Sequence, residues 1–454
     1  MANLLPIIPF TREINATVKL PGSKSITNRA LIFAALCNGT VKLTGALFSR
    51  DTNIMVAALQ EIGFSVETNE ADKTIVVKGQ GGVIPKAKAA IFVGNAGTAA
   101  RFLTALLALH PKGEYTMDGD PAMHARPMGG LIQALSSQGT KAVAPDGTPT
   151  DHFPFTLHTR GLRGGEIAVD ASASSQLLSA LLMVAPFTKK PATVRLAEKT
   201  VSEPFVEMTL RMCADFGREA TTPSEGIYVF DSQGAYSCPS GTYPIEPDAT
   251  AASYFLALPI ASPAKIKISG LRSNGLQGDA GFAKILQELG LPFRKTKSGW
   301  EVSSPDTPLR GGYLDFNAIS DTFLTLAAIA PLLASPLTIR GIAHARKQET
   351  DRLLAMATEL TKLRQTIDPP LKVLRKDTSI GMFTIYPNRK KLKKASRKGP
   401  VNIQTYEDHR IAMSFGILGT YDLYGDGRPW LKIRNPACCG KTFPGFFQVL
   451  EGLR

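Results

Sequence analysis

The chain has 454 residues and a formal net charge of +14 at pH 7, with 44% hydrophobic and 20% charged residues. This composition is ordinary for a soluble globular protein, and the length predicts two domains. No apolar run approaches the ~20 residues of a membrane-spanning helix. Residues 1–10 also lack the basic start and apolar centre of a secretory signal, so we expect a cytoplasmic protein.

One pattern recurs through the first half of the chain: a polar cluster, an apolar helix, a tight turn and a short strand. We predict these helices at 25–37, 98–109 and 174–185, and the strands that follow them at 40–43, 114–117 and 192–196. A second helix then follows each strand, at 51–62, 127–137 and 203–216. Residues 65–78 are predicted to close the first unit with two strands.

The second half repeats this order. Helices are predicted at 250–258, 321–333 and 408–418, strands at 265–269, 337–340 and 430–433, and second helices at 279–289, 349–363 and 443–450. The Pro-rich stretch 241–247 lies between the third and fourth units, so the six units divide into two domains of three.

The first helix of each unit is apolar on most faces, as in Leu177, Leu178, Leu181 and Leu182. Surface helices show a narrower apolar stripe, so we expect these helices to be buried with the sheets packed around them. A doubly wound α/β sheet is the alternative, but the order of elements fits it poorly and no GxGxxG sequence follows a strand.

The polar clusters lie where helix N-termini present unpaired N–H groups and a partial positive charge, which bind anions. Several also carry Lys or Arg, and together they predict a heavily anionic ligand. The five cysteines form no CxxC pair and have no His partner at metal spacing, which predicts a reduced protein without a structural metal. Much of the remaining positive charge lies at 388–398, which we interpret as a solvated basic loop and not as an RNA-binding segment.

Seven motifs in order resemble the enolpyruvyl transferase family of 5-enolpyruvylshikimate-3-phosphate (EPSP) synthase. They are LPGSKSITNRA (20–30), GNAGTAAR (94–101), RP (126–127), SSQ (174–176), ETDR (349–352), DHR (408–410) and KTFP (441–444). The resemblance covers nearly the whole chain. It implies an α/β fold, the two-domain inside-out α/β barrel built from six repeats of a βαβαββ-type unit. The domains would be 23–246 and, completed by the N-terminal strand, 1–22 with 247–454, with the active site in the cleft between them.

The resemblance also implies the reaction: transfer of the enolpyruvyl group of phosphoenolpyruvate to the 5-hydroxyl of shikimate 3-phosphate, with no cofactor, metal, nucleic acid or membrane and as a monomer. The implied catalytic residues are Asp321, Glu349 and Lys24. The implied shikimate 3-phosphate site is Lys24, Ser25, Arg29, Ser174, Ser175, Gln176, Ser202 and Asp321. The implied phosphoenolpyruvate site, which glyphosate occupies in this family, is Lys24, Asn95, Gly97, Arg126, Gln176, Arg352, Arg410 and Lys441.

The chain departs from the family pattern near these motifs. The Lys that usually precedes ETDR is Gln348, with Lys347 one position earlier, and an Asn upstream is His344. Phe102 replaces a Pro, and Glu203 replaces a Lys. We expect Gln348 to bind shikimate 3-phosphate less strongly than a Lys would.

Two alternative functions compete with this interpretation. A sister transferase moves enolpyruvyl to UDP-N-acetylglucosamine, but it usually has a Cys on the loop that contributes Arg126, and residues 121–127 contain none. An anion-binding or RNA-binding module would explain the net charge, but it leaves Asp321 and Glu349 unexplained among basic residues.

Overall fold

The computed structural model describes residues 3–231, 234–272 and 274–454. The chain divides into two compact units, Gly22–Glu246 and a second that joins Met1–Pro21 to Pro247–Arg454. Below they are called the central unit and the terminal unit. Gly22 belongs to the central unit, one residue before the predicted start of this domain at 23.

The helices of the central unit are α1 (Lys24–Leu36), α2 (Arg50–Glu61), α3 (Gly97–Leu107), α4 (Pro121–His124), α5 (Gly129–Ser137), α6 (Ser175–Val184) and α7 (Pro204–Asp215). Those of the terminal unit are α8 (Ala249–Ala261), α9 (Phe282–Glu288), α10 (Phe323–Ile329), α11 (Arg352–Lys362), α12 (Leu371–Lys376), α13 (Arg389–Ala395), α14 (His409–Gly419) and α15 (Phe446–Glu451). Short 3₁₀ segments lie at Ala185–Phe187, Gly278–Gly281, Ala330–Leu332, Ala343–Lys347 and Pro436–Lys441.

The strands up to the end of the central unit are β1 (Leu4–Ile7), β2 (Ile14–Val18), β3 (Asn38–Thr44), β4 (Ser65–Asn69), β5 (Thr74–Gln80), β6 (Lys88–Phe92), β7 (Glu114–Asp118), β8 (Lys141–Val143), β9 (Phe155–His158), β10 (Gly165–Val169), β11 (Ala192–Leu196), β12 (Thr221–Ser224), β13 (Ile227–Phe230) and β14 (Thr242–Pro244). The remaining strands are β15 (Ala264–Ser269), β16 (Phe293–Thr296), β17 (Gly299–Ser303), β18 (Tyr313–Asp315), β19 (Leu337–Arg340), β20 (Thr366–Asp368), β21 (Phe383–Tyr386), β22 (Val401–Ile403) and β23 (Leu431–Arg434).

The described strands of the central unit form three sheets with one topology. Their orders are β14-β3-β5-β4, β6-β7-β9-β8 and β10-β11-β13-β12. In each sheet the first two strands are parallel and the others are antiparallel, as β6 with β7 and then β7 with β9 show. A parallel pair requires a crossover, which α3 supplies between β6 and β7, so the repeated unit is βαβαββ. The first sheet takes its parallel strand from β14, at the end of the unit.

The terminal unit has sheets β16-β17-β15-β2, β18-β19-β21-β20 and β1-β23-β22. The N-terminal segment therefore contributes a strand to two of them, β2 parallel to β15 and β1 antiparallel to β23. The last sheet has three strands, because β1 replaces the closing hairpin of the repeat. The sheets confirm the inside-out α/β architecture of six related units.

The first helix of each unit is buried, as the apolar sequences predicted. Every residue of α3 and of α14 is buried, although both helices carry polar side chains. Several polar side chains of the buried first helices pair between neighbouring helices: Asn28 Nδ2 donates to Thr98 Oγ1 at 2.7 Å, and the Ser253 and Thr325 hydroxyls are 2.8 Å apart. Such pairing is required in an interior where water cannot replace a lost hydrogen bond.

The prediction of a loop at 388–398 is wrong. Residues Arg389–Ala395 form α13, which Asn388 caps by accepting a hydrogen bond from Lys391 N at 3.1 Å. Leu392 is fully buried and fixes the helix to the terminal unit. An Asn cap and one buried leucine suffice for a helix of two turns. These two features are easily overlooked in the sequence because lysines surround them.

Candidate active site

The N-terminus of α1 carries the first predicted group. Ser23 caps the helix by accepting from Ile26 N, and Lys24 is its first residue. Lys24 Nζ lies 3.4 Å from Asp51 Oδ2, and the Asp51 side chain is only 3% exposed. The pair places a mostly buried ammonium group where the helix already favours an anion. Asp51 is not among the predicted site residues, because an acidic residue in the first turn of an ordinary helix gives no functional signal in the sequence.

Around Gly97, at the start of α3, two arginines approach the backbone closely. Arg101 Nη1 donates to Gly97 O at 3.2 Å, and Arg126 Nη1 lies 3.3 Å from both Asn95 O and Asn95 Oδ1. A Cβ at Gly97 would lie 2.6 Å from Arg101 Nη1 and 2.7 Å from Arg126 Nη2. Glycine therefore leaves these two guanidinium groups in place, whereas a larger residue would have to displace them.

The SSQ motif joins this cluster through Gln176. Ser174 caps α6 by accepting from Gln176 N, Ser175 is the first helical residue, and Gln176 Oε1 accepts from Arg101 Nη1 at 3.4 Å. Ser202, just before α7, has a positive φ of 52°, which is strained for a residue with a side chain. Strain of this kind is common at ligand sites.

Arg29 lies deeper in the central unit than the sequence suggested. Its side chain is 1% exposed, donates to Thr209 Oγ1 at 2.7 Å and to Phe205 O at 3.1 Å, and lies over the ring of Phe102. Burial lowers the pKa of this guanidinium to about 9. Arg29 thus links α1 to α7, and its contact with a substrate stays a prediction.

Arg29 and Arg126 share one further property. Among the described residues, no carboxylate oxygen lies within 4.0 Å of either guanidinium group, and both side chains are at most 8% exposed. Arg126 Nε is buried without a hydrogen-bond partner within the described chain. Buried cations without a counter-ion are costly, so the central unit is prepared to accept an anion.

The terminal unit has its own cluster, centred on Arg352, the first residue of α11. Its fully buried guanidinium contacts three carboxylates: Asp408 at 2.7 Å, Asp321 at 2.8 Å and Glu349 at 2.8 Å. Burial alone would lower the pKa of Arg352, but these carboxylates outweigh burial and raise it above its usual value.

The same carboxylates bind two other cations. Arg410 Nη2 lies 2.7 Å from Asp321 Oδ2, and Lys441 Nζ lies 3.0 Å from Glu349 Oε1. Arg352, Arg410 and Lys441 thus face Asp321, Glu349 and Asp408, three positive charges against three negative ones. The charges of this network balance one another, whereas Arg29 and Arg126 of the central unit have no carboxylate partner among the described residues.

Two departures from the family pattern lie beside this network. Gln348 Oε1 accepts a hydrogen bond from Arg352 Nη1, an interaction that a lysine could not make. His344 Nε2 lies 2.8 Å from the Oγ atom of Ser320, the residue that precedes Asp321 in the sequence. Burial lowers the pKa of His344, so the imidazole is neutral at physiological pH. Both replacement residues thus form hydrogen bonds at or beside the network.

The structure joins several of the predicted residues into one cluster in each unit. In the central unit these are Asn95, Gly97, Arg126 and Gln176, the last through Arg101, while Lys24 lies at the start of α1 beside Asp51. In the terminal unit they are Asp321, Glu349, Arg352, Arg410 and Lys441. Within residues 3–231, 234–272 and 274–454, His, Cys, Asp and Glu form no group of three or more suited to a metal ion. The described helices are all too short or too polar to span a membrane.

Comparison with known proteins agrees with these motifs. The family model described as EPSP synthase (3-phosphoshikimate 1-carboxyvinyltransferase) matches residues 10–450. A relative from Opitutus terrae named 3-phosphoshikimate 1-carboxyvinyltransferase is 48% identical, covering 100% of this chain and 98% of its own length. The chain belongs to the EPSP synthase family.

More distant members extend the match. The chloroplastic 3-phosphoshikimate 1-carboxyvinyltransferase of Brassica napus is 35% identical over 97% of this chain and 84% of its own length. The structure of EPSP synthase from Acinetobacter baumannii superposes with a TM-score of 0.76 at 22% identity, over 99% of this chain and 98% of that one. This structural likeness supports the fold, and the sequence matches disfavour the UDP-N-acetylglucosamine transferase.

Proposed function

We propose that this EPSP synthase family member transfers the enolpyruvyl group of phosphoenolpyruvate to the 5-hydroxyl of shikimate 3-phosphate, releasing phosphate. The observation that carries the proposal is the pair of buried arginines without counter-ions, Arg29 and Arg126, in a chain with this family's motifs. Both substrates carry phosphate and carboxylate groups, which guanidinium groups bind through paired, charge-assisted hydrogen bonds.

The two clusters divide the binding in this proposal. In the central unit, the shikimate 3-phosphate residues are Lys24, Ser25, Arg29, Ser174, Ser175, Gln176 and Ser202, and the phosphoenolpyruvate residues are Lys24, Asn95, Gly97, Arg126 and Gln176. The terminal unit adds Arg352, Arg410 and Lys441 for phosphoenolpyruvate and Asp321 for shikimate 3-phosphate.

The chemistry is addition followed by elimination. Asp321 accepts the proton of the 5-hydroxyl while the oxygen attacks C2 of phosphoenolpyruvate, and the methylene carbon C3 takes a proton from Glu349. In the elimination the C2–O bond to phosphate breaks, C3 returns a proton to Glu349, and the double bond is restored. The departing phosphate takes the proton that Asp321 had accepted, so both carboxyl groups regain their starting states. Lys24 neutralises charge that accumulates on the intermediate. Lys441, 3.0 Å from Glu349, stabilises the carboxylate after it has given its proton.

The test is phosphate release from phosphoenolpyruvate with shikimate 3-phosphate as acceptor, beside the same assay with UDP-N-acetylglucosamine. We expect turnover with the first acceptor alone, and its loss in Lys24→Ala. Lys19→Ala, which removes an exposed lysine, is the matched control. Turnover with the nucleotide sugar, or none with shikimate 3-phosphate, would refute the assignment. The monomeric state and cytoplasmic location implied by the family stay predictions.

Gly97→Ala is expected to weaken phosphoenolpyruvate binding more than it slows the chemical step. The new methyl group must displace the guanidinium groups of Arg101 and Arg126, which lie 2.6 and 2.7 Å from its position. Misplacing binding groups by about 1 Å costs roughly ten- to hundredfold, so the KM for phosphoenolpyruvate should rise by that order. Gly445→Ala is the control, because nothing lies within 4 Å of a Cβ there. An unchanged KM in Gly97→Ala would contradict the packing argument.

Gln348→Lys tests the departure beside the ETDR motif. We expect the KM for shikimate 3-phosphate to fall by about tenfold, because a hydrogen bond to a charged group contributes about 1.5–3 kcal/mol. The variant should also be less stable, since the lysine replaces an acceptor of Arg352 with a second cation. The exposed neighbour provides the control: Lys347→Gln should leave this KM unchanged. If Gln348→Lys does not change it, position 348 does not contact the substrate.

A further inference from the structure

Asp279 is a buried carboxyl group that the proposed reaction does not use. It lies in the 3₁₀ segment Gly278–Gly281 before α9, and it is 5% exposed. One oxygen, Oδ2, accepts a hydrogen bond from the hydroxyl of Thr250 in the first turn of α8. The other, Oδ1, is buried and has no hydrogen-bond partner within the described residues. A buried carboxylate in this position is costly, because water cannot reach the second oxygen.

The segment that carries Asp279 packs beside the cluster of the terminal unit. A Cβ on Gly281 would lie 3.7 Å from Ile319, two residues before Asp321. The charged groups that act on Asp279 come from three elements: Asp248 at the start of α8, Asp321 before α10 and Arg410 in α14. No Lys, Arg or His nitrogen of the described chain lies within 4.0 Å of its carboxylate. Asp279 therefore feels the positive charge of Arg410 but forms no ion pair with it.

The balance of these effects favours the neutral form. Burial, and next the charge of Asp321, raise the pKa of Asp279 to about 7, although Thr250 and Arg410 act in the opposite direction. The carboxyl group thus ionises close to physiological pH. When it does, a second negative charge appears beside Arg410, whose Nη2 is already bound to Asp321 at 2.7 Å.

We propose that Asp279 is a positioning residue of the substrate site, whose negative charge competes with an anionic substrate for Arg410. This inference rests on the proposed function, because it assumes that Arg410 binds phosphoenolpyruvate. When Asp279 is neutral, Asp321 remains as the carboxylate bound to Arg410, so less negative charge opposes an anionic substrate at this guanidinium. The Tyr254 hydroxyl faces the same group and stays neutral because burial raises its pKa.

The sign of the effect follows from linkage. As the pH rises through about 7, Asp279 loses its proton, the cluster becomes more negative, and an anion binds less tightly. By reciprocity, a bound anion raises the proton affinity of Asp279 by the same factor. The KM for phosphoenolpyruvate should therefore rise between pH 6 and 8.5 by more than the titration of the substrate itself explains.

Asp279→Asn, which stays neutral at every pH, separates the two contributions. We expect the ratio of wild-type to variant KM for phosphoenolpyruvate to rise by roughly three- to tenfold from pH 6 to 8.5, as a coupling of about half to one pKa unit requires. The kcat of the two proteins should differ much less. Asp306→Asn, the same change at an exposed site of the terminal unit, should follow the wild type at every pH.

Thr250→Val provides a second variant, which keeps the carboxyl groups of both Asp279 and Asp321. Removing the hydroxyl withdraws a hydrogen bond that favours the ionised form of Asp279, so the rise in KM should begin at higher pH than in the wild type. A constant KM ratio in Asp279→Asn would overturn the inference, as would an unshifted rise in folded Thr250→Val. Absence of wild-type turnover would instead refute the proposed function, so the two failures are distinguishable.

Discussion

Arg352→Met is expected to lower the free energy of unfolding by about 3–5 kcal/mol, which is the usual effect of removing one partner from a buried ion pair. The substitution keeps an unbranched chain of similar length but leaves Asp321, Glu349 and Asp408 without their shared cation. Asp408 is fully buried and loses the partner that lies 2.7 Å away, so its negative charge can no longer be compensated. Chemical denaturation at pH 7.5 measures this loss.

The matched control is Arg340→Met, which removes an exposed arginine from its pair with Asp315. Both partners of that pair are about half exposed, so the change should be within about 1 kcal/mol. The Arg352→Met deficit should also shrink as the pH falls from 8 to 5, because carboxylates that have lost their cation can then take up protons. Equal losses in the two variants would show that the buried network contributes little to stability.

Glu349→Gln is expected to reduce kcat by about 10²- to 10⁴-fold, the range typical of removing a general acid or base. Glutamine preserves the size of the side chain and an acceptor oxygen for Lys441 or Arg352, but it cannot give a proton to C3 or take one back. The KM values for both substrates should change much less than kcat, because the arginines and lysines that bind anions are retained. Steady-state kinetics with phosphoenolpyruvate and shikimate 3-phosphate measure both parameters.

Glu288→Gln, on the exposed face of α9, is the control for the loss of one carboxylate from the terminal unit. It should leave kcat and KM unchanged. A Glu349→Gln variant that retains half of the wild-type kcat would show that Glu349 is a counter-ion of Lys441 and Arg352 and not the proton donor. The same conclusion would follow if the variant and the wild type had equal kcat at low pH, where a protonated Glu349 is as neutral as glutamine.

Local sequence patterns determined most of the secondary structure. The strands predicted at 192–196 and 337–340 match β11 and β19 residue for residue. Both are short runs with β-branched residues between turn residues, and such runs favour a strand with clear ends. Two predicted helix ends differ from the structure. The helix predicted at 349–363 begins at Arg352, since Asp351 accepts a hydrogen bond from Leu354 N and acts as its cap. The helix predicted at 321–333 is α10 with a following 3₁₀ turn, because Pro331 interrupts the α-helical hydrogen bonds.

The family and its motif residues were determined by the sequence alone, since most of the motifs join a helix N-terminus to side chains suited to bind anions. Which charges are paired was decided by the tertiary structure. Asp51 and Asp279 have no distinctive sequence context, and Gln348 stands out only as a departure from the family pattern. In the structure Asp51 pairs with Lys24, Gln348 accepts a hydrogen bond from Arg352, and Asp279 acts on Arg410. The physical reason is that the energy of a charge depends on its burial and on its distance from other charges. Both are set by side chains that come from distant parts of the chain.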